Sequence, residues 1–319
     1  MPLESIRSLV SHDLIATDRF ICNELKSDIP FINQLIEYIL HCGGKRIRPL
    51  LVLLTAHAFA HQKEQHIDLA AAVELIHTAT LLHDDVVDNS NMRRGRQTAN
   101  VLWGNEASVL VGDFLYSRAF QLIVKLKNIP ILDIFANATN IIAEGEVLQL
   151  LNCHNPNTTE EAYYEVIERK TAKLFEVATQ TGAALSTDTE KYLKAMQYYG
   201  LHLGIAYQLI DDALDYAVDT GKNRGNDLIE GKPTLPIIYA LRTGSVASAT
   251  VLRQAISNGS SENLDSIMEI IESTGAIEYT HEAAKSHAEK AIKMLIDIPE
   301  SPYREALKTL TQFVVERHY

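Results

Sequence analysis

The feature that most limits the fold of this chain is the placement of its nine prolines among 319 residues. They leave stretches of roughly eighty residues without a helix breaker. Within these stretches apolar residues recur at intervals of three and four, as in Leu69, Val73 and Ile76. That interval is typical of an amphipathic helix, and alternating strand patterns flanked by tight turns are missing. We therefore predict an all-α protein of about ten or more helices.

The segments between the predicted helices are short. Turn-forming residues place breaks near 42–49, 89–95, 126–131, 152–159, 219–234, 242–247, 257–261 and 298–302. None of these segments is a Ser/Gly-rich linker, and the composition does not shift along the chain. The sequence therefore predicts a single domain over residues 1–319.

The overall charge excludes several kinds of partner. The 29 Lys and Arg residues minus the 41 Asp and Glu residues give a net charge of −12, so nonspecific binding to nucleic acid is not expected. An anionic ligand would need a local basic cluster. The three cysteines lack a CxxC pair, which is typical of a reducing compartment. Because no signal peptide or membrane-spanning stretch is recognisable, we expect a cytoplasmic protein without a transmembrane segment.

One short pattern, Asp-Asp-x-x-Asp, occurs twice. With 17 Asp in the chain, only about 0.05 matches are expected by chance. On a helix the outer two carboxylates of each copy share one face, and clustered carboxylates are unfavourable unless cations bind them. Oxygen-only ligands of this kind suit Mg²⁺, which typically bridges carboxylates to phosphate oxygens. We call the copies the first Asp motif (Asp84, Asp85, Asp88) and the second Asp motif (Asp211, Asp212, Asp215).

Basic residues accompany both Asp motifs. A glycine pair followed by three cations in four residues, GGKRIR at 43–48, can bring backbone amides and positive charge to an anion. Each basic cluster alone could serve solubility or a helix C-terminus. Their adjacency in sequence to the Asp motifs favours phosphate binding, and the candidates are Lys45, Arg48, Arg93, Arg94, Lys170, Lys222 and Lys232.

These motifs resemble those of the trans-type (all-E) polyprenyl diphosphate synthases, and in particular their long-chain bacterial members, which make octaprenyl diphosphate for quinone side chains. The resemblance spans nearly the whole chain, through GGKRIRP, IHTATLLHDDVVD, MRRG, VLVGDFLYSRAF, IIAEGEVLQL, RKTA, YQLIDDALDY and GKPTLPIIYAL in that order. It implies a helical bundle of the isoprenoid synthase type around a central cavity, three Mg²⁺ ions per active site, and a homodimer. It also implies that an allylic diphosphate, expected to be farnesyl diphosphate, condenses with successive isopentenyl diphosphates. A peripheral membrane contact would serve product release.

The resemblance assigns roles to individual residues. Direct Mg²⁺ ligands would be Asp84, Asp88 and Asp211, supported by Asp85, Asp212 and Asp215. The allylic diphosphate would be held by Arg93, Lys170, Lys222 and Lys232. Isopentenyl diphosphate would be held by Lys45, Arg48, His77 and Arg94. Oxygen dipoles near the allylic cation would come from Thr171 and Gln208. No protein nucleophile is required, because the reaction needs electrostatic stabilisation of a leaving diphosphate.

Two positions depart from the family pattern. Tyr207 precedes Gln208 where Phe is common, which adds a hydroxyl that needs a partner. Asn226-Asp227 stands where two acidic residues are common, and Asp227 is the residue expected to keep the acidic role.

Other enzyme classes explain parts of the sequence. His83-Asp84 is also the core dipeptide of the helical HD phosphohydrolases, but that reading leaves the second Asp motif unexplained. Ferritin-like di-iron proteins need two Glu-x-x-His motifs, which occur at 74–77 and 278–281, although about 0.9 such pairs are expected by chance. A terpene cyclase is disfavoured, because its second motif is normally Asn/Ser/Glu-based.

Chain length is expected to depend on the helix walls near the first Asp motif. Small residues, Ala79 and Thr80, lie about one turn, or 5.4 Å, before that motif and would not stop a growing chain. The candidate floor is therefore deeper, at Phe135, although spacing alone fits an ordinary core aromatic equally well. A short- or medium-chain product, from geranylgeranyl to heptaprenyl, is the alternative.

Overall fold

The structure is a computed structural model that describes residues 3–41, 43–217, 225–259 and 264–317. The described chain is almost entirely helical, as the proline spacing predicts. Its helices are α1 (Leu3–Ser8), α2 (Ser11–Glu24), α3 (Pro30–His41), α4 (Ile47–Ala58), α5 (Gln65–Val87), α6 (Ala99–Trp103), α7 (Asn105–Lys125), α8 (Ile129–Asn152), α9 (Glu160–Ile167), α10 (Lys173–Ala184), α11 (Glu190–Leu214), α12 (Asn226–Ile229), α13 (Leu235–Thr243), α14 (Val246–Asn258), α15 (Leu264–Ser273), α16 (Ala276–Met294) and α17 (Pro302–Glu316).

The predicted breaks are confirmed wherever the structure describes them, since each overlaps a gap between two helices. Further breaks occur at 25–29, 59–64, 185–189 and 274–275. The first three contain no glycine, and Pro30 follows only the first. Ser186–Thr189, a run of Ser, Thr and Asp, and Ser27-Asp28 are turn-forming residues that the prediction overlooked, whereas 59–64 contains no such residue.

A two-stranded hairpin departs from the all-helical expectation. Strands β1 (Met92–Arg93) and β2 (Arg96–Gln97) pair antiparallel just after the first Asp motif. The two residues that join them, Arg94 and Gly95, have φ values of 52° and 75°. Positive φ at both central residues is typical of the primed turns that close tight hairpins.

The chain divides into two compact units. Unit 1 comprises Met1–Phe135, Val177–Leu193 and Pro299–Leu307, and unit 2 comprises Ala136–Glu176, Lys194–Ile298 and Lys308–Tyr319. The single domain over residues 1–319 stays a prediction.

Unit 1 is organised around α5. Fourteen of its 23 residues are buried, on all sides of the helix. It packs against α2, α4 and α7, and its alanines at 70–72 let these neighbours approach closely. The last turn of this central helix carries the first Asp motif.

Unit 2 has a comparable helix, α11. Small and apolar residues, including Gly204, Ala206 and Leu209, bury it, and Leu209 and Ile210 pack with residues of α9, α13 and α16. The second Asp motif lies at the C-terminal end of this helix. In each unit, the Asp motif therefore ends a long helix that the core holds rigidly.

One helix of the described chain, Asn105–Lys125, is long and apolar enough to span a membrane by length and composition. The core helices of soluble proteins meet the same criterion, so this is weak evidence for a membrane span.

Candidate active site

The first Asp motif straddles the C-terminus of α5. Asp84 and Asp85 lie in the last turn and Asp88 is the C-cap. The end of a helix dipole is negative at this point, so three carboxylates here create a strongly negative potential. Asp85 is 3% exposed, whereas Asp84 and Asp88 are half-buried.

The buried middle carboxylate has a cationic partner. Asp85 Oδ1 accepts hydrogen bonds from Arg93 Nε at 2.8 Å and Nη2 at 2.7 Å. Burial raises the pKa of Asp85, and Arg93 opposes that rise without cancelling it. Asn100 Nδ2 donates to the backbone carbonyls of Asp85 and Ser90, which fixes the loop leading to the hairpin. Asp85 thus positions Arg93.

Basic residues of unit 1 converge near His77. Arg48 Nη1 donates to His77 Nε2 at 3.0 Å, and Arg94 Nη1 donates to the carbonyl of Gly43. Burial, followed by the charges of Arg48, Arg94 and Arg93, lowers the pKa of His77 well below its ordinary value. A neutral His77 accepts from Arg48 and leaves the positive charge of the arginines available for an anion.

The three cations of the GGKRIR segment have different surroundings. Arg46, at a φ of 47°, forms a buried ion pair with Glu74, so it is structural. The side chain of Lys45 is exposed, and Arg48 is half-buried. Lys45 and Arg48 are the two residues of this segment that the resemblance assigns to isopentenyl diphosphate, and Arg46 is not among those assigned.

The second Asp motif also has a buried middle carboxylate, but its partners are neutral. Tyr163 Oη donates to Asp212 Oδ2 at 2.5 Å, and Gln208 Nε2 donates to Oδ1 at 2.7 Å. Burial is the main cause that raises the pKa of Asp212 to about 7, with the charges of Asp211 and Asp215 adding to it. This carboxyl is therefore close to half-protonated at neutral pH.

The outer carboxylates of the second Asp motif hold neighbouring segments. Asp215 accepts from the backbone N–H groups of Asn226 and Asp227, at 3.2 and 3.1 Å, at the start of α12. Burial, with the charges of Asp215 and Asp212, raises the pKa of Asp227 well above its ordinary value.

Asp211 pairs with a residue that the sequence analysis missed. Arg317 Nη2 lies 2.7 Å from Asp211 Oδ1 and donates to the carbonyl of Tyr207 at 2.7 Å. Its guanidinium lies 4.0 Å from the centroid of the Tyr207 ring. The Arg317 side chain is 3% exposed, whereas that of Asp211 is 41% exposed. The aromatic body of Tyr207 thus packs against the counter-ion of Asp211.

A π-helical turn, Glu168–Ala172, presents Lys170 and Thr171. Lys170 Nζ donates to Glu146 and to Gln149 Oε1 at 2.6 Å, and Thr171 Oγ1 donates to Gln208 Oε1 at 2.8 Å. Turns of this type are frequent at functional sites.

Two helical glycines allow α8 and α11 to approach this turn. A Cβ on Gly145 would lie 2.8 Å from the backbone nitrogen of Lys170, and one on Gly204 would lie 2.6 Å from the Cα of Ala172. No larger residue fits at either position without displacing backbone.

A cleft of about 560 Å³ in unit 2 brings several predicted residues together. Its polar lining comes from five elements (α8, α9, the π-helical turn, α11 and α12) and from adjoining loops, and it includes Lys170, Thr171, Gln208, Asp212, Asp227 and Lys232. Lys232 Nζ donates to Glu230 Oε2 at 2.7 Å, which fixes the direction of its side chain. In unit 1, a cleft of about 610 Å³ includes Asp85, Arg93 and Arg94. Lys222, also predicted, lies outside the described residues.

The candidate chain-length residues are buried to different degrees. Ala79 and Phe135 are each 0% exposed. Thr80 is half-buried and its hydroxyl donates to the carbonyl of His77 at 2.8 Å. Their roles in chain length stay predictions.

The contacts also bear on the rival classes. His83 Nε2 donates to the carbonyl of Val109 at 3.2 Å, so it fixes the packing of α5 against α7. Glu74 is paired with Arg46 and His77 with Arg48, which leaves the first Glu-x-x-His motif unsuited to iron. His83 of the phosphohydrolase hypothesis and Glu74 and His77 of the di-iron hypothesis are thus engaged in contacts within the fold.

Comparison with known proteins gives a consistent assignment. The polyprenyl synthetase family model matches residues 29–273. The chain is 48% identical to the octaprenyl diphosphate synthase of Escherichia coli (strain K12), over 99% of each chain. It is 43% identical to the all-trans-nonaprenyl-diphosphate synthase (geranyl-diphosphate specific) of Rhodobacter capsulatus, over 98% of each. A polyprenyl synthase structure from Caulobacter crescentus CB15, complexed with calcium and isoprenyl diphosphate, matches at a TM-score of 0.95 and 41% identity, covering 100% of this chain and 98% of that one.

The chain belongs to the polyprenyl synthetase family. It is a trans-prenyltransferase with the all-α fold of that family. Enzymes of this family act on isopentenyl and allylic diphosphates and generally depend on Mg²⁺.

Proposed function

We propose that this enzyme condenses farnesyl diphosphate with successive isopentenyl diphosphates to give octaprenyl diphosphate, a precursor of quinone side chains. The observation that carries the proposal is the pair of Asp motifs, each at the end of a buried helix and each beside lysine or arginine side chains. The name of the E. coli relative, 48% identical over 99% of each chain, supports the product length.

The donor set of the Asp motifs fits Mg²⁺. It consists only of carboxylate oxygens, and the outer carboxylates Asp84, Asp88 and Asp211 remain partly exposed while the middle ones are engaged in buried contacts. We assign these three residues as ligands and expect three ions per active site. When bound, Mg²⁺ neutralises the charge of the leaving diphosphate.

The chain's own residues then bind, orient and shield the substrates. Lys170 and Lys232, with Arg93 and Lys222, would hold the allylic diphosphate, so that its C–O bond breaks with the charge of the leaving group already compensated. Thr171 donates its hydroxyl proton to Gln208, which leaves oxygen lone pairs that can stabilise an adjacent allylic cation. Lys45, Arg48 and Arg94 would hold isopentenyl diphosphate beside a neutral His77.

Carbon–carbon bond formation requires the loss of one proton. The double bond of isopentenyl diphosphate attacks the allylic cation, and the resulting cation loses a proton to the departing pyrophosphate. No side chain need act as the base, because the leaving group is itself a base held at the reacting carbon.

Product analysis tests this proposal directly. Purified protein is incubated with labelled isopentenyl diphosphate, farnesyl diphosphate and Mg²⁺, and the dephosphorylated products are separated by chromatography. Octaprenyl chains as the main product are expected. Products that end at geranylgeranyl would overturn the long-chain assignment, and hydrolysis without chain growth would overturn the reaction.

Two variants test the chain-length residues. Phe135→Ala is expected to lengthen the product with little loss of total isopentenyl incorporation, because it removes a bulky floor. Ala79→Tyr is expected to shorten it to about three or four units, because it places a large ring one turn before the first Asp motif. An unchanged product distribution in a folded Phe135→Ala protein would show that Phe135 is an ordinary core residue and does not limit chain length.

We also propose a cytoplasmic homodimer. Exposed apolar side chains on α7, among them Leu110 at 66% and Val124 at 58%, form a surface suited to a second copy. Product release would involve peripheral contact with a membrane. Light scattering of the purified protein should give a dimer, and Leu110→Glu should shift it toward monomer; a monomeric wild type would overturn the assignment.

A further inference from the structure

A second group of ligand-type side chains lies in unit 1, away from the Asp motifs. It consists of Asp13 on α2, His57 on α4 and His66 at the start of α5. One ligand atom from each lies within 4.8 Å of the others. His66 and Asp84 are eighteen residues apart on α5, about 27 Å along the helix axis, so this cluster is separate from the first Asp motif.

The hydrogen bonds of His66 leave one ring nitrogen facing the cluster. His66 Nδ1 donates to the carbonyl of Lys63 at 2.7 Å, so in the neutral ring Nε2 carries a lone pair. The residue is 7% exposed, and Nε2 has no hydrogen-bond partner. A carbonyl that orients the other ring nitrogen is the usual arrangement behind a metal-binding histidine.

That lone pair faces a carboxylate. Asp13 Oδ2 lies 3.3 Å from His66 Nε2 and 2.5 Å from His57 Nε2. Burial acts to raise the pKa of Asp13, but the hydrogen bonds of His57 and His12 and the neighbouring His66 lower it overall. Nε2 of His66 beside this carboxylate is therefore a position that holds a cation, either a proton or a metal ion.

The distances are close to those of a coordination sphere. Ligand atoms about 2.0 to 2.1 Å from a tetrahedral zinc ion lie about 3.3 Å from one another. The separation of Asp13 and His66 already has this value. The separation of Asp13 and His57 is shorter, at 2.5 Å, and would lengthen by about 0.8 Å in a tetrahedral site. The ligand atoms of the two histidines lie within 4.8 Å of each other.

We propose that Asp13, His57 and His66 form a binding site for a divalent transition-metal ion of the Zn²⁺ class, with water as the fourth ligand. Two imidazoles and a carboxylate suit Zn²⁺ or Co²⁺ and not Mg²⁺. The ion replaces the proton shared by His57 and Asp13 and joins α2, α4 and α5. Its role is structural, because neither of the two clefts described above, which contain the predicted catalytic residues, includes these three side chains.

Cobalt spectroscopy tests the site in the full-length protein. The protein is treated with EDTA, transferred to buffer with excess Mg²⁺ to occupy the Asp motifs, and titrated with Co²⁺. We expect one Co²⁺ per chain with the strong visible absorption of a four-coordinate site. Zn²⁺ should displace it and raise the melting temperature by a few degrees.

Matched variants locate the ion. His57→Gln and His66→Gln should each weaken Co²⁺ binding by more than the roughly 10- to 100-fold that loss of an outer-sphere partner causes. Asp13→Asn serves as a third test if a histidine variant fails to fold. The controls are His12→Gln, whose ring is exposed beside Asp13, and His287→Gln, which removes the histidine pair of unit 2.

Absence of the absorption in wild type, or its survival in folded His57→Gln and His66→Gln proteins, would overturn the site. Loss of the absorption only in His287→Gln would place the ion in unit 2 and would also overturn the proposed site.

Discussion

The two Asp motifs share a sequence pattern but differ in how their charge is compensated. In the first, the buried Asp85 pairs with the cation of Arg93. In the second, the buried Asp212 accepts from the neutral Tyr163 and Gln208, and a cation, Arg317, pairs with the outer Asp211. The same Asp-Asp-x-x-Asp pattern thus ends two helices, with the counter-ion on the middle Asp in the first and on an outer Asp in the second.

This difference shows that the Asp-Asp-x-x-Asp pattern determines which carboxylates can bind a metal ion but does not determine the net charge of the motif. The first motif keeps its outer carboxylates beside an internal ion pair, and both motifs lie at the negative end of a helix. The second motif lowers its own charge by raising the pKa of Asp212 to about 7 and by neutralising Asp211. We therefore expect the first motif to attract cations more strongly in the free enzyme.

The largest expected effect follows from removing an outer carboxylate. Asp84→Asn and Asp211→Asn should each lower turnover by several orders of magnitude, because each removes an assigned metal ligand. Their stabilities should differ. Asp84→Asn relieves like-charge repulsion and should leave the melting temperature unchanged or raised, whereas Asp211→Asn leaves the buried Arg317 without its counter-ion and should lower it.

Steady-state turnover and thermal unfolding check both points. Asp133→Asn, at an exposed position of α8, is the matched control and should change neither. Near-normal turnover in either motif variant would remove that residue from the ligand set.

A smaller effect separates the basic residues of the two units. Arg48→Ala, and to a lesser degree Lys45→Ala, should raise KM for isopentenyl diphosphate about 10- to 100-fold with a smaller effect on the primer, because a charge-assisted contact to a phosphate contributes about 1.5 to 3 kcal/mol. Lys222→Ala and Lys232→Ala should do the reverse. Lys308→Ala, at an exposed position, is the control. Equal effects on both substrates would show that the two basic groups do not bind separate diphosphates.

How far the sequence predicts these contacts depends on their separation along the chain. Helix ends, breaks and both Asp motifs follow from local patterns, and Arg93 is only eight residues from Asp85. Tyr163 is 49 residues from Asp212, and Arg317 is 110 residues from Tyr207, so packing alone selects them. The sequence analysis does not predict the hairpin, because its strands have only two residues each and cannot show an alternation of apolar and polar residues. The π-helical turn is approached closely by α8 at Gly145 and by α11 at Gly204, and no local pattern predicts these contacts.

Replacing the middle carboxylate of each motif by an amide should lower the free energy of unfolding by different amounts. Asp85→Asn leaves the partly buried Arg93 without its hydrogen-bonded carboxylate and should cost about 1 to 3 kcal/mol of unfolding free energy. Asp212→Asn replaces a group that is already close to half-protonated and should cost less, since Asn still accepts one of the two hydrogen bonds. Urea denaturation of both variants measures the comparison. An equal or larger loss in Asp212→Asn would mean that Asp212 is ionised in the fold.

The smallest effect is a pH dependence of stability that comes mainly from the second motif. Because burial raises the pKa of Asp212 from 3.8 to about 7, the folded chain keeps a proton between these values that the unfolded chain has lost. Stability from this group is therefore greatest below about pH 4 and falls as the pH rises toward 7. Asp227, whose pKa burial also raises, acts in the same direction.

Melting temperatures measured in EDTA from pH 5 to 8 should fall by a few degrees more in wild type than in Asp212→Asn. Asp85→Asn should retain most of the wild-type slope, because Arg93 opposes the rise in the pKa of Asp85. A slope that Asp85→Asn abolishes and Asp212→Asn preserves would reverse the assignment, and would mean that the proton resides on the first motif despite its arginine.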